Sequence, residues 1–324
     1  MKRKNMYENC NLCPRKCGID RTVGKRGACG ADEKIKIARA ALHFWEEPCI
    51  SGENGSGAVF FSGCQLHCEF CQNKDISDCA AGKTVDAGRL TEIFLELKEQ
   101  GAYNINLVTP SHFAPSVIEA LEDAKRQGMD LPVVYNTGGY DSVDTIKLFE
   151  GIVDVYLPDF KYMDENLALR FSGVKNYPDV AKAAIREMVR QQPKAVFDGN
   201  DMIKSGVIVR QLLLPGHVKD AMHILSYLHD TYGEKIYISM MSQYTPVRKF
   251  IEHTELNRKV TKREYERYIQ YAMDIGIENG FIQEGDVAEE SFIPEFNGYG
   301  VGKVNVKRKF YWKLYYGCST MVME

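Results

Sequence analysis

The sequence has no apolar run of the roughly 18 residues that a membrane-spanning helix needs, and no span is expected in it. It has no excess of either charge. Forty-one Lys and Arg face 44 Asp and Glu, a net of −3, which argues against a globally basic nucleic-acid binder and against attraction to an anionic membrane. The opening Met1-Lys2-Arg3-Lys4-Asn5 is charged like the start of an export signal, but no apolar stretch follows it. A cytoplasmic location is therefore expected. Internal repeats and low-complexity tracts are also missing.

Cysteine, by contrast, is plentiful: ten in 324 residues. Disulfides do not persist in a reducing cytoplasm, so clustered cysteines there read as metal ligands or catalytic groups. Seven of the ten fall in two tight groups. Cys49, Cys79 and Cys318 are scattered and are expected to behave as small buried apolar residues.

Between the two groups and the C-terminus runs a regular alternation of apolar stretches and amphipathic stretches. Strands are expected at Ala58–Phe61, Ile105–Val108, Leu131–Tyr135, Val153–Leu157, Val207–Leu213 and Ile236–Met240. Helices are expected at Leu90–Lys98, Val117–Arg126, Ser142–Phe149, Ala181–Arg190, Ala221–His229 and Arg263–Met273. Short continuous apolar strands alternating with helices imply an α/β fold with a parallel, helix-covered sheet and right-handed crossovers. Six such units are too few for a closed eight-stranded barrel and suit an open, partial TIM-type (β/α)6 barrel. Its site should lie at the C-terminal ends of the strands. The expected organisation is a cysteine-rich N-terminal metal-binding extension (residues 1–50), the (β/α)6 domain (51–301) and a basic, aromatic tail (302–324).

The loop after the first expected strand carries Cys64, Cys68 and Cys71 in a C-x3-C-x2-C spacing. Three thiolates on one short loop can hold three corners of an iron–sulfur cubane and leave the fourth iron open to a small molecule. The competing assignment is a zinc site that borrows a fourth ligand such as His67. Zinc knuckles do not usually sit at the active end of a βα sheet, which favours the cluster.

The spacing, with aromatic Phe70 just before the third cysteine, resembles the radical S-adenosylmethionine (SAM) superfamily. Further segments are similar to the proteins related to pyruvate formate-lyase activating enzymes, in particular an uncharacterised branch of them. They are Glu46-Glu47-Pro48, residues 55–73, Val108–Phe113, Val134–Tyr140, Leu157–Lys161 and Arg210–Gly216, so the resemblance covers about residues 8–301. It implies a [4Fe–4S] cluster on Cys64, Cys68 and Cys71, with SAM on the open iron. Reductive cleavage of SAM would yield a 5′-deoxyadenosyl radical that abstracts a hydrogen atom from a substrate. By the same resemblance, Phe70, Gln72, Asn136, Thr137, Gly138, Asp159, Lys161 and Arg210 approach the cofactors, and a flavodoxin- or ferredoxin-type protein donates the electron. Where the activating enzymes carry Gly-Gly-Glu after the second strand, this chain has Thr109-Pro110-Ser111-His112, and Thr109 and Ser111 are expected to stand in for that element. His112 is either a proton donor in the site or a structural histidine.

Three functions remain in competition. The first is an activase that abstracts hydrogen from a glycine of a glycyl radical enzyme. The second is a radical SAM enzyme acting on a small molecule or another macromolecule. The third is a non-enzymatic iron–sulfur or zinc scaffold.

The other cysteine group, Cys10, Cys13, Cys17 and Cys29, follows a C-x2-C-x3-C-x11-C pattern. Four sulfurs make a closed site, for structural zinc or for a second [4Fe–4S] cluster. The tail Lys307–Tyr316 is basic and aromatic, a composition that can stack on and neutralise a nucleic acid but more often packs on its own domain.

Overall fold

The computed structural model describes residues 3–282 and 294–302. The strands are β1 (Ile35–His43), β2 (Ser56–Phe61), β3 (Lys83–Val85), β4 (Ile105–Val108), β5 (Val133–Thr137), β6 (Val155–Pro158), β7 (Val196–Phe197), β8 (Ile203–Leu212), β9 (Tyr237–Met241) and β10 (Gly280–Ile282). The helices are α1 (Pro48–Ser51), α2 (Lys74–Ser77), α3 (Ala87–Glu99), α4 (Ala114–Arg126), α5 (Val143–Leu148), α6 (Glu165–Ser172), α7 (Tyr177–Gln191), α8 (Val218–Tyr232) and α9 (Lys262–Asp274). The tail segment 307–316 and Cys318 lie outside the described residues.

All six expected strands are present, and they pair in parallel in chain order: β2, β4, β5, β6, β8, β9. Every residue of β2, β4, β5 and β6 is buried, as strands covered on both faces must be. One face meets the helices. There α4 contributes Val117, Ile118 and Leu121, all fully buried, each stabilising the fold by about 1.5–3 kcal/mol. Among the described residues the two ends of the sheet do not pair, so the barrel is open and partial, in the TIM manner.

Four strands were not anticipated, among them the two-residue β7, which pairs antiparallel with β8. β10 adds a seventh parallel strand beside β9. β1 runs antiparallel to β2, and β3 antiparallel to β1, capping the other end of the sheet. The Ala-Arg-Ala-Ala centre of β1 carries few β-branched residues, so its extended state comes from pairing rather than from propensity. Helix α6, also unanticipated, starts at Asp164, whose carboxylate accepts from Asn166 N, and ends at Gly173 in the left-handed region.

The cysteine-rich segment is wrapped against the C-terminal ends of the strands. Tyr7 reaches Ser116 on α4, the Leu12 carbonyl accepts from Thr145 on α5, and Arg15 Nε donates to the Gln65 carbonyl in the three-cysteine loop. Cys49 and Cys79 are both buried.

Candidate active site

The loop after β2 is fastened from below by aromatic packing. Phe70 meets Tyr162, Phe171 and Tyr244 edge-on, at 6.2–6.3 Å between centroids. Ser172, the last residue of α6, donates to Cys68 Sγ at 3.0 Å, and the Leu66 N–H points at Cys64 Sγ at 3.5 Å. These contacts turn the three sulfurs toward the barrel lumen. Burial, with Cys68 alongside, pushes the Cys64 thiol up to about 11 and Cys71 to about 12. Without metal these thiols stay protonated, and metal binding has to displace the protons.

Beneath the loop lies a cavity of about 510 Å3, lined by Cys64, Cys68, Cys71 and by Phe70, Gln72, Thr109, Asn136, Thr137, Gly138, Asp159, Lys161 and Arg210. Nine of the ten residues proposed to approach the cofactors are thus brought to one cavity. Ser111 is not. It is fully buried behind the wall, where its hydroxyl accepts from Gln65 Nε2 at 3.1 Å. Thr137 lines the cavity, but its hydroxyl is spent on Asp141. A larger hollow, about 730 Å3, opens near Tyr103, Phe197 and Tyr237 at the opposite ends of the strands, and no cysteine of either group reaches it.

The cavity floor is an ionic network. Arg210 on β8 donates to Asp159 Oδ1 (2.8 Å), Glu46 Oε2 (3.0 Å) and Asn136 Oδ1 (2.6 Å). Glu46 Oε1 in turn accepts from Asn106 and Asn136 at 3.2 and 3.1 Å. Lys161 Nζ donates to Asp159 Oδ2 at 2.5 Å. Burial alone would raise the Asp159 carboxyl, but Arg210 and Lys161 together hold it below the usual range. Burial likewise opposes the Lys161 charge, and Asp159 and Cys68 outweigh it, keeping Lys161 cationic beside the thiolate loop. A cation there favours deprotonated thiolates and the net negative charge of a thiolate-bound cluster.

Glu46 and Glu47 were not among the anticipated site residues. Glu47 is also buried, and burial, with Glu46 beside it, raises its carboxyl against the pull of Arg210. The sequence gives one hint, two acids before Pro48. Nothing local says that the chain after β1 turns back under the parallel strands and sends Glu46 into the barrel.

Thr109 has φ +59°, a left-handed backbone that β-branched residues avoid. The activating enzymes have glycine in this region, so the glycine-like turn survives the change of side chain. A Cβ at Gly138 would stand 3.0 Å from the tip of the Leu66 side chain in the cysteine loop, a tight contact that glycine avoids. His112 donates from Nε2 to the Ser62 carbonyl at 2.9 Å and does not line the cavity. Burial depresses it to about 3, so it is neutral and supports the loop instead of donating a proton into the cavity. His67 is exposed and donates to the Ala28 carbonyl, so it does not complete a zinc set with the three cysteines.

The donor chemistry fits a cubane cluster. Among the described residues no three His, Cys, Asp or Glu side chains converge as they would around one metal ion; thiolates on a cubane each hold a different iron and need not converge.

Residues 58–204 match the family model of the radical SAM superfamily. Over 278 residues the chain is 30% identical to an uncharacterised protein of Methanocaldococcus jannaschii, covering 83% of this chain and 75% of that one. It is 28% identical over 141 residues to the pyruvate formate-lyase-activating enzyme of Clostridium pasteurianum, covering 41% of this chain and 58% of that enzyme. A solved structure similar to it is Streptococcus suis SuiB bound to S-adenosylmethionine, at 12% identity, 68% of this chain, 48% of that one and a TM-score of 0.46. The chain belongs to the radical SAM superfamily. Membership implies a [4Fe–4S] cluster and SAM, and within the superfamily the chain resembles the pyruvate formate-lyase activating enzymes.

Proposed function

We propose that this protein is a radical SAM enzyme that abstracts a hydrogen atom from a protein substrate, in the manner of a glycyl-radical-enzyme activase. The observation that carries the reading is the juxtaposition of Cys64, Cys68 and Cys71 with the Asp159–Lys161–Arg210 network across one 510 Å3 cavity. When bound, the cluster on those cysteines supplies the electron that splits SAM to 5′-deoxyadenosine's radical, the species that takes the hydrogen. The chain's own part is to hold and orient. Asp159 and the Asn136 amide line the cavity and offer acceptors and donors to the polar groups of SAM, and Gly138 keeps the approach to the loop open. Arg210 fixes Asp159, Glu46 and Asn136 in one geometry, and the apolar ring of Phe60, Leu66, Phe70 and Val108 excludes water.

A macromolecular substrate is supported by the lip of the cavity. Phe44 and Trp45 stand there 48% and 55% exposed, beside Pro48, which suits a peptide segment better than an enclosed small molecule. The likeness to an activating enzyme points the same way. The electron comes from a flavodoxin- or ferredoxin-type carrier. The N-terminal Cys10, Cys13, Cys17 and Cys29 form a second metal site, separate from the SAM site in its ligands, on the wrap that precedes β1.

The test is anaerobic. The reconstituted protein, given dithionite and SAM, is expected to form 5′-deoxyadenosine, and Cys68→Ala to abolish it. Stimulation by a glycyl-radical protein, but not by a small-molecule set, supports the activase form. Absence of deoxyadenosine from protein shown to carry a full cluster, with and without the glycyl-radical protein, would sink the enzyme reading.

A further inference from the structure

The N-terminal wrap does not sit apart from the three-cysteine loop. A Cβ at Gly63, whose φ of +98° already favours glycine, would stand 2.6 Å from the carbonyl oxygen of Cys29. Gly63 precedes Cys64. One ligand residue of each cysteine set is therefore separated from the other by a single residue and a van der Waals contact. His67 of the loop binds the Ala28 carbonyl, and Arg15 of the wrap binds the Gln65 carbonyl, so the two segments are stitched on either side of that contact.

Arg21 tells what lies in the wrap. It is fully buried, and among the described residues it meets no carboxylate. Its guanidinium donates to the carbonyls of Asp32 and His112 and to Cys10 Sγ at 3.5 Å, and lies over the rings of Tyr7 and Phe113 at 4.8 and 5.6 Å. A buried cation without a counter-charge is costly. Its one side-chain hydrogen-bond partner among the described residues is the Cys10 sulfur, and metal-bound thiolates at that place would supply the missing anionic charge. The Ala28 N–H adds a hydrogen bond to Cys17 Sγ at 3.3 Å. Besides the buried Arg21, residues 10–30 carry four basic side chains (Arg15, Lys16, Lys25, Arg26) against one acid, Asp20, and Lys16, Lys25 and Arg26 are exposed.

We propose that the wrap is the electron inlet of the enzyme: Cys10, Cys13, Cys17 and Cys29 hold an iron–sulfur cluster, and an acidic one-electron carrier protein docks on the Lys16, Lys25 and Arg26 face to reduce it. One electron leaves the reduced carrier, enters this cluster, and passes across the Cys29–Gly63 contact to the cluster on Cys64, Cys68 and Cys71. No bond forms or breaks and no proton moves in either transfer. A structural zinc in the wrap would have no use for the contact with the loop, because zinc carries no electron. The inference rests on the radical SAM reading of the cavity and adds the route by which it is charged.

The measurement is the rate of reduction of the SAM cluster by a reduced, acidic [4Fe–4S] ferredoxin, divided by its rate with dithionite in the same preparation. Wild type is expected to hold about eight irons per chain and Cys17→Ser about four. In Cys17→Ser the rate ratio should fall at least tenfold. Should that variant fail to fold, the exposed pair Lys25→Glu/Arg26→Glu takes its place. It should hold the wild-type iron content, lower the ratio, and weaken its dependence on salt. Zinc in the wrap, or a ratio that neither variant moves, overturns the inlet. Failure of the parent reading looks different: wild type would form no 5′-deoxyadenosine with dithionite.

Discussion

Arg210 is the residue on which the cavity floor depends. It is the fork that holds Asp159, Glu46 and Asn136, and removing it leaves two carboxylates facing each other with little solvent. Arg210→Met is expected to cost about 3–5 kcal/mol in urea denaturation at fixed metal content. Arg210→Lys should recover part of that while losing the fork geometry. An Arg210→Met midpoint equal to wild type would show that the network contributes nothing. In the wrap, Arg21→Gln removes a buried positive charge beside the sulfurs. The midpoint potential of the N-terminal cluster should move to more negative values, because the added electron loses its compensating cation, and Arg21→Lys should restore most of the shift. A redox titration followed by electron paramagnetic resonance reads this directly. His112 gives the pH dependence. Its folded value, about 3, lies below its ordinary 6.5, so the unfolded chain binds the extra proton in between. Stability supplied by this site is complete above pH 6.5 and is lost as the pH falls toward 3; His43, depressed to about 4 by burial and by Arg39, adds in the same direction. Thermal melts from pH 7.5 to 5 should show that slope, and His112→Phe should flatten it.

At the scale of the element, the turn after β4 is the informative one. Thr109 occupies a left-handed position, and its N–H donates to the Asn136 carbonyl at 2.8 Å, which fixes β4 to β5 at the site. Thr109→Gly should leave stability within about 1 kcal/mol of wild type, because relief of backbone strain offsets the lost side chain and the entropy of glycine. Thr109→Val keeps the strain and removes the hydroxyl. A loss of SAM affinity in Val but not in Gly would assign the role to backbone geometry with the hydroxyl dispensable only in the relaxed turn; equal loss in both would assign it to the hydroxyl. The periodicity of the parallel strands and their helices was readable because each is buried on a fixed face. Helix α6 was not, yet it brings Ser172 to Cys68.

Across the whole molecule, the two cysteine groups are about 35 residues apart in sequence at their nearest members, Cys29 and Cys64, and adjacent in space. The wrap has few apolar side chains of its own: Tyr7 and Leu12 anchor it, and the rest is turn. Its fold should therefore depend on metal. Stripping metal with a chelator is expected to release residues 8–30 to proteolysis near Lys25 and Arg26 while α3, α4 and α7 stay protected. Protection of the wrap in the metal-free protein would show that packing alone holds it.

The sequence by itself determined the chemistry and the class of fold. Ligand spacing is local, so C-x3-C-x2-C on Cys64, Cys68 and Cys71 was legible, and hydrophobic period is local, so the parallel strands β2, β4, β5, β6, β8 and β9 were legible too. What only the tertiary structure decided is everything that joins segments distant in the chain. Glu46 reaches Arg210 across 164 positions, and Arg21 reaches the His112 carbonyl across 91. Ser111, next to the site in sequence, is turned away from it by Gln65. No propensity or spacing encodes such contacts; they arise because antiparallel β1 delivers the segment after it to the N-terminal ends of the parallel strands, where His43 pairs with Ser56, and because a buried charge settles wherever the folded chain supplies its partner.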